Sequence, residues 1–157
     1  MQKITPFLWF NNNAEEAMKF YTSIFDNSKI GKVTYYPEGT PGPAGTVMTG
    51  TMQLAGQEFI VLNGGPNFKF TEAVSFVVNC DTQEEVDKYW EKLTTGGGQE
   101  VECGWLKDKF GLSWQIVPTV LPELLVDKDR EKSKRVMQAV LKMKKLDIAG
   151  LKRAAAA

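Results

Sequence analysis

One stretch of this sequence occurs twice. Residues 4–25, ITPFLWFNNNAEEAMKFYTSIF, and residues 73–94, AVSFVVNCDTQEEVDKYWEKLT, align without a gap at a constant offset of 69. Each copy begins with a run of β-forming residues and continues with apolar side chains at helical spacing. Because the register is kept through both parts, the sequence predicts two tandem modules, each opening with a strand and a helix.

A polar residue marks the start of each predicted helix. Asn13 is followed three residues later by Glu16, and Thr82 is followed three residues later by Glu85. The second pair is a full capping box, in which the first side chain accepts a hydrogen bond from the helix backbone and the glutamate accepts one in return. The predicted helices cover residues 13–26 and 82–95.

The rest of each module is predicted to be β-structure. The predicted strands, including the two that open the modules, cover residues 4–10, 29–36, 46–54, 57–62, 73–79, 99–105 and 113–118. The last strands also match, because Gly56–Val61 aligns with Gly111–Ile116 at an offset of 55. Pro37–Gly45 is rich in proline and glycine, which predicts a mobile loop that the second module lacks. Each module thus reads β-α-β-β-β.

Residues from Val120 onward belong to neither repeat. A short helical turn is predicted at 121–126, and Asp127 or Asp129 can cap a helix that runs to about residue 145. The predicted apolar face of this helix consists of Val136, Met137, Val140 and Leu141. Asp147 can cap a last turn. Two interpretations stay open: the tail packs on its own domain, or it crosses to a second subunit.

The absence of histidine restricts the chemistry more than any other feature of the composition. Any reaction must use carboxylates, lysine, tyrosine, cysteine or an added cofactor.

The charges of nineteen basic and nineteen acidic side chains cancel, which gives no electrostatic argument for binding nucleic acid or an anionic membrane. No apolar run approaches the roughly 20 residues that span a bilayer, and no signal-peptide pattern is present. Cys80 and Cys103 lack the spacing of metal sites, so we predict reduced thiols in a cytoplasmic protein.

Several segments together resemble one known family. They are ITPFLWF, MKFYTSIF, LNGGP, FVVNCDTQEEVDKYWEKL, CGWLKDKFGLSWQIVP and RVMQAVLKMKKLDIAGL. They are similar to the PhnB-like branch of the vicinal oxygen chelate superfamily, often labelled as a 3-demethylubiquinone-9 3-methyltransferase domain. This superfamily includes glyoxalase I, ring-cleaving dioxygenases and the bleomycin- and fosfomycin-resistance proteins.

The resemblance implies an α+β fold. Two tandem βαβββ modules would form a cup-shaped mixed sheet with the helices outside, followed by a C-terminal helical tail. We expect a single domain, in which residues 1–67 form the first module, residues 68–119 the second and residues 120–157 a helical extension.

In the metal-dependent members of this family, His, Glu or Gln at four strand positions hold a divalent ion. The resemblance places those positions at Pro6, Ile60, Ser75 and Gln115. Proline and isoleucine carry no side-chain donor, and one glutamine oxygen falls short of the three or four ligands that such a site needs. We therefore expect neither the family's metal nor another cofactor.

The resemblance, combined with the alternation of side chains along strands, also predicts which residues face the cup. Phe7 and Trp9 are predicted to pack on the helix. The predicted ligand cavity consists of Leu8, Phe10, Ile60, Leu62, Ser75, Val77, Ser113 and Gln115. Of these, Ser75 and Gln115 are the predicted hydrogen-bond partners of a ligand, and Pro37–Gly45 could close over the mouth.

Three classes of function stay open. The first is a metal-free protein that binds or sequesters an apolar or mixed small molecule in the cup. The second is an enzyme, such as a lyase, an isomerase or a dioxygenase-like protein, that uses atypical metal ligands or Glu58 as a general base. In the third, the protein acts through partners and the cup is only a core.

The methyltransferase label implies a site for S-adenosylmethionine, usually a glycine-rich turn between a strand and a helix. Gly96–Gly98 instead follows a predicted helix and precedes a predicted strand. We interpret it as a helix stop and do not predict methyl transfer. For partners we expect an unknown small molecule and a second copy in a homodimer, and neither nucleic acid nor a membrane.

Overall fold

The computed structural model describes residues 2–157. In chain order, its elements are β1 (Phe7–Phe10), α1 (Ala14–Ile24), β2 (Lys29–Tyr35), β3 (Val47–Leu54), β4 (Gln57–Asn63), β5 (Ser75–Cys80), α2 (Gln83–Thr94), β6 (Gln99–Glu100), β7 (Trp105–Lys107), β8 (Ser113–Pro118), α3 (Val120–Leu125), α4 (Arg130–Val140) and α5 (Ile148–Ala156). The boundary between two compact units falls after Phe70. Each unit contains one module, so the repeated β-α-β-β-β order is confirmed.

In the first unit, the strands lie side by side in the order β1, β4, β3, β2. β1 runs parallel to β4, and the other neighbours are antiparallel. α1 packs on one face of this sheet, which we call the helix face. There, a Cβ at Gly50 would lie 2.6 Å from the sulfur of Met18 on α1. An alanine here would therefore force the buried Met18 side chain to shift. Val61 on β4, the strand partner of Gly50, shares the same face.

The second unit repeats this arrangement in the order β5, β8, β7, β6, with β5 parallel to β8. Val86, Trp90 and Leu93 form the buried side of α2. The predicted cap of this helix is confirmed, because Thr82 Oγ1 accepts the N–H of Glu85 at 3.2 Å. The Glu85 carboxylate reaches back and accepts a hydrogen bond from the backbone of the preceding turn.

The corresponding prediction for α1 is wrong. Asn13 stands at the cap position, but its side chain makes no capping hydrogen bond. The first N–H of the helix, that of Ala14, is instead donated to Asn63 Oδ1 at 2.9 Å. Asn63 lies at the end of β4 and also donates to the carbonyl of Val47 at 3.1 Å. The cap thus comes from a residue distant in sequence, which no local pattern can indicate.

The predicted strand at 99–105 is also wrong, because a turn divides it into β6 and β7. In this turn Cys103 and Gly104 have φ angles of 62° and 85°, outside the β region. Their N–H groups donate to the carbonyls of Met143 at 2.8 Å and Lys144 at 2.7 Å. The tail therefore takes the hydrogen bonds that a continuous strand would have given to its neighbour.

The C-terminal tail packs on the second unit around a hydrophobic cluster of its own. The cluster consists of Leu121, Val136, Val140, Leu146 and Leu151, with Cys103 and Val117 packed against it. The two caps come from Asp129 on α4 and Asp147 on α5, and α5 runs beyond the predicted single turn. Only half of the predicted apolar face of α4 is buried, because Met137 and Leu141 are 42% and 61% exposed.

Candidate functional site

The second sheet brings four of the predicted cavity residues to one face, opposite α2. In the parallel pair of β5 and β8, Ser75 lies beside Ser113, and Val77 lies beside Gln115. Paired residues in a sheet point to the same side, whereas the intervening residues, such as Trp114, point to the other. Trp105 on β7 pairs with Gln115 and therefore joins this face. We call these five residues the second-unit face.

Hydrogen bonds on the second-unit face are incomplete. Gln115 Nε2 donates to Ser75 Oγ at 3.0 Å. Ser113 is 1% exposed, and within residues 2–157 its hydroxyl has no hydrogen-bond partner. A buried polar group without a partner costs roughly 1–3 kcal/mol. Ser113 therefore keeps an unused hydrogen-bond donor and acceptor in a buried position next to this face.

A charged pair lies at the edge of the second-unit face. Lys107 is the antiparallel partner of Ser113, and its ammonium group forms an ion pair with Glu72. The hydrogen bond from Lys107 holds the pKa of the Glu72 carboxyl below its usual value. The cation is thus neutralised by its neighbour, and the face as a whole is neutral and mixed in polarity.

In the first unit, the face opposite α1 carries Ile60 and Leu62 as predicted, but not Leu8 and Phe10. Those two pair with Val61 and Asn63 and lie on the helix face, where they are only 6% and 3% exposed. Phe7 and Trp9 pair with Ile60 and Leu62 instead. The prediction that Phe7 and Trp9 pack on the helix is therefore wrong.

The physical reason is one additional residue between β1 and α1. Ile60 and Gln115 are equivalent positions of the repeat, and their strand partners are Phe7 and Val77. Phe7 stands six residues before the helix cap of its module, whereas Val77 stands five before its own. Asn12 takes up the extra residue at a φ of 62°. A shift of one residue in register exchanges the two faces of a strand. In the sequence, only the run of asparagines at 11–13 could have indicated the extra residue.

The four positions that the resemblance assigns to the family's metal do not supply a matching donor set. Pro6 lies before β1 and uses its carbonyl to accept the N–H of Ile60 at 2.9 Å, and neither side chain has a donor atom. Ser75 and Gln115 bind each other. Throughout residues 2–157, no group of three His, Cys, Asp or Glu side chains is placed to hold an ion. These residues do not fit a divalent metal.

Glu58 lies on the same face as Ile60, near the start of β4 and next to the hairpin turn. It lines a cleft of about 120 Å³ together with Lys29, Gly31 and Gln53, among others. Its backbone is fixed by the amide side chain of Gln2, through hydrogen bonds of 3.1 Å at both the N–H and the carbonyl. A carboxylate and an ammonium group thus share one small cleft.

The proline- and glycine-rich loop folds back on Tyr36. Gly45 donates its N–H to the Tyr36 carbonyl at 2.9 Å, the tyrosine hydroxyl donates to the carbonyl of Asn63, and Gly42 lies against the tyrosine ring. Together with Tyr35 and the start of α1, the loop lines a cavity of about 380 Å³. That the loop closes over a ligand stays a prediction.

The two thiols differ in environment, although both are free. Cys80 is fully buried at the end of β5. Burial raises the pKa of its thiol to about 12, so the thiol stays protonated at neutral pH and is a poor nucleophile. Cys103 is half-buried in the turn between β6 and β7.

Among residues 2–157, no helix is both long and apolar enough to cross a membrane.

Comparison with known families finds one that matches most of the chain. Residues 2–117 match the family described as 3-demethylubiquinone-9 3-methyltransferase. The match ends before α3, so the helical tail lies outside it. No protein of curated function matches the sequence.

Solved structures extend this finding. A PhnB protein from Bacillus cereus is 44% identical, with a TM-score of 0.69, over 75% of this chain and 100% of that one. Protein PA1353 from Pseudomonas aeruginosa is 19% identical, with a TM-score of 0.61, over 75% of this chain and 98% of that one. The fosfomycin resistance protein FosX from Listeria monocytogenes is 15% identical, with a TM-score of 0.55, over 78% of this chain and 97% of that one. The last two show similarity of fold alone.

Proposed function

The chain belongs to the 3-demethylubiquinone-9 3-methyltransferase family, the PhnB-like branch of the vicinal oxygen chelate superfamily, and on this premise we propose that it binds a small molecule without a metal. A fold of this kind hosts many reactions, so membership fixes the scaffold and not the activity. The proposal must therefore be argued from the residues of the site.

The unsatisfied hydroxyl of Ser113 carries the proposal. Its strand partners are Ser75 and Lys107. It lies beside the Ser75–Gln115 hydrogen bond, and Gln115 in turn lies between the apolar surfaces of Val77, which is 50% exposed, and Trp105. Binding sites typically combine apolar walls with a few polar groups that fix orientation. The ligand that suits this face has an apolar body and one or two hydrogen-bonding oxygen or nitrogen atoms.

Two observations support small-molecule binding rather than the metal-assisted or methyl-transfer chemistry that the names of related proteins suggest. The four family metal positions lack a donor set, as described above. Gly96 and Gly97 have φ angles of 78° and 116° directly after α2, which is the geometry of a helix stop and not of a turn that opens a helix around a cofactor. Neither metal-assisted hydrolysis nor methyl transfer is therefore part of the proposal.

A thermal-shift screen of small molecules tests the proposal. A ligand at 100 times its Kd adds about 2.7 kcal/mol of stability, which raises the Tm of a chain of this size by about 5–10 °C. Ser113→Ala should weaken a hit about tenfold, yet leave the free protein as stable or more stable, because a buried unsatisfied hydroxyl is removed. Ser23→Ala is the matched control, since Ser23 is exposed and bonds only within α1.

Two results would contradict this function. One is an unchanged affinity in Ser113→Ala and in the double variant Ser75→Ala/Gln115→Ala. The other is about one tightly held metal ion per chain, measured by elemental analysis after incubation with Mg, Mn, Fe, Ni and Zn and removal of free ions.

The cleft that holds Glu58 favours a second candidate, an enzyme that moves a proton without a metal. Glu58 and Lys29 line the same cleft, and a carboxylate beside a cation can act as a general base. In this case Glu58→Gln would abolish turnover of a bound compound while the Tm stays the same. Full turnover in Glu58→Gln would exclude the role.

A further inference from the structure

The charges of this chain cancel overall but not within the second unit. Residues 1–70 contain five basic and five acidic side chains. Residues 71–118 contain four basic and nine acidic side chains, a net charge of −5, whereas residues 119–157 contain ten basic and five acidic side chains, a net charge of +5. The helical tail is therefore a cationic addition to an anionic body. Such segregation of charge is a reason to look for an anionic partner.

Most acidic groups of the tail are already occupied by contacts inside it. Asp127 forms an ion pair with Lys132 at 2.9 Å, and the carboxylates of Asp129 and Asp147 accept N–H groups at the starts of α4 and α5. By contrast, six cations of the tail are exposed and make no hydrogen bond or ion pair from their side chains within residues 2–157. These are Lys128, Arg130, Lys134, Lys142, Lys144 and Lys152. The tail thus keeps positive charge that the described part of the chain does not neutralise.

Two of these cations share one side of α4 with two exposed apolar residues. Arg130, Lys134, Met137 and Leu141 are spaced at i, i+4, i+7 and i+11. At 3.6 residues per turn they fall within about 60° of one another around the helix axis, and Leu141, the C-cap, still has helical backbone angles. Met137 is 42% exposed and Leu141 is 61% exposed. We call these four residues the outer stripe of α4.

Val126 adds a third exposed apolar side chain next to the outer stripe. It follows α3, is 80% exposed, and lines a shallow groove together with Arg130, Lys134 and Met137. The side chains that anchor a protein partner typically meet in pockets that exclude water. Val126 and Leu141 instead project from the surface with cations beside them. This arrangement suits a lipid interface, where apolar side chains enter the boundary of the acyl chains and basic ones stay with the headgroups.

We propose that the tail docks on an anionic lipid surface through the outer stripe of α4. Val126, Met137 and Leu141 enter the boundary between headgroups and acyl chains, while Arg130 and Lys134 bind lipid phosphates. Long basic side chains can do this because their apolar stems lie along the lipid and their charged ends remain in the headgroup layer. The helix then lies in the plane of the interface and does not cross it. This inference concerns a surface other than the proposed ligand face and does not depend on it.

The segregated charge also favours one orientation on such a surface. Anionic lipids attract residues 119–157 and repel residues 71–118, so the protein should approach with its tail toward the lipid. Because the attracting cations are exposed, binding should weaken as salt screens them. The contribution of the three apolar side chains should remain at high salt, since it does not depend on charge.

Cosedimentation of the full chain with lipid vesicles tests the docking. The protein should sediment with vesicles that mix phosphatidylglycerol and phosphatidylcholine, and much less with vesicles of phosphatidylcholine alone. Arg130→Gln/Lys134→Gln should bind the mixed vesicles about thirtyfold more weakly. The matched control is Lys32→Gln/Lys69→Gln, which removes the same charge from two exposed residues of the first unit and should bind as the wild-type protein does.

A second measurement tests whether the apolar residues enter the lipid. Bromine atoms on the acyl chains quench tryptophan that reaches them. In mixed vesicles with brominated phosphatidylcholine, Leu141→Trp should be quenched more than the wild-type protein. Lys32→Trp, which places the new indole on an exposed position of β2, should show no additional quenching. Circular dichroism shows whether each variant keeps its fold.

Several outcomes would overturn the proposal. They are an absence of binding to the mixed vesicles, equal binding to vesicles with and without phosphatidylglycerol, and a control variant that loses as much affinity as Arg130→Gln/Lys134→Gln. Equal quenching of Leu141→Trp and Lys32→Trp would exclude insertion of the outer stripe. Binding to a soluble peptide of glutamate and leucine, without binding to vesicles, would replace the membrane by an acidic protein partner.

Discussion

Asp108 should be among the most sensitive positions of the second unit. Its carboxylate is 3% exposed and accepts three hydrogen bonds: from the N–H of Phe110 at 2.9 Å, the N–H of Leu112 at 3.1 Å and the indole N–H of Trp114 at 2.9 Å. These bonds fix the turn between β7 and β8, which leads directly into Ser113 and the second-unit face.

The expected loss of stability follows from the hydrogen-bond donors that a substitution of Asp108 would leave without an acceptor. In Asp108→Ala, the N–H of Leu112 and the indole of Trp114 lose their acceptor in a buried setting. Each buried donor without a partner costs roughly 1–3 kcal/mol, so the free energy of unfolding should fall by about 2–6 kcal/mol. That is a large part of the roughly 5–15 kcal/mol that stabilises a typical domain.

Urea denaturation followed by tryptophan fluorescence measures this loss. Asp108→Asn should lose about 1–3 kcal/mol, because its amide oxygen can still accept from the backbone while its NH₂ group faces the indole. In a Trp114→Phe background, Asp108→Ala should cost less, since one donor is already gone. Glu38→Ala, an exposed carboxylate in the loop after β2, is the control. A loss below about 1 kcal/mol in Asp108→Ala, or one equal to that of the control, would refute the reasoning.

Three further predictions follow from particular contacts. Gly50→Ala should lower the free energy of unfolding by about 1–3 kcal/mol, because its Cβ would lie 2.6 Å from the Met18 sulfur; Met18→Ala should recover part of this loss in urea denaturation. Gln83 bonds to the backbone at Leu146–Ile148 through both ends of its amide, so Gln83→Ala should speed amide exchange there, measured by mass spectrometry, and leave the first unit unchanged. The pKa of the Cys80 thiol is raised from 9.0 to about 12, so the unfolded chain releases this proton first, and stability should fall as the pH rises from 9 toward 12. Cys80→Ala should flatten this part of the pH profile, and equal slopes would contradict the assignment.

The fold was predictable because its signals are local and occur twice. The apolar periodicity of α1 and α2, the cap at Thr82 and the glycines after α2 each act through neighbouring residues in the chain. The faces of β5 and β8 follow from alternation alone, since both strands are regular along their length. Such signals do not depend on residues elsewhere in the chain.

The errors occur where distant residues supply hydrogen bonds. Asn63 caps α1 in place of Asn13, and the carbonyls of Met143 and Lys144 interrupt the strand predicted at 99–105. In both cases the backbone group finds its partner across the fold. Neither partner is marked by any pattern near the group that it satisfies.

The sequence by itself determined the two modules, their helices and the family, because these depend on residue chemistry and short-range periodicity. Only the tertiary structure decided that Phe7 and Trp9, and not Leu8 and Phe10, share a face with Ile60 and Leu62. It also decided that the Ser113 hydroxyl is buried with no hydrogen-bond partner among residues 2–157, and that Met137 and Leu141 stay exposed. The physical reason is that side-chain direction depends on strand register, and one residue in a turn can reverse it.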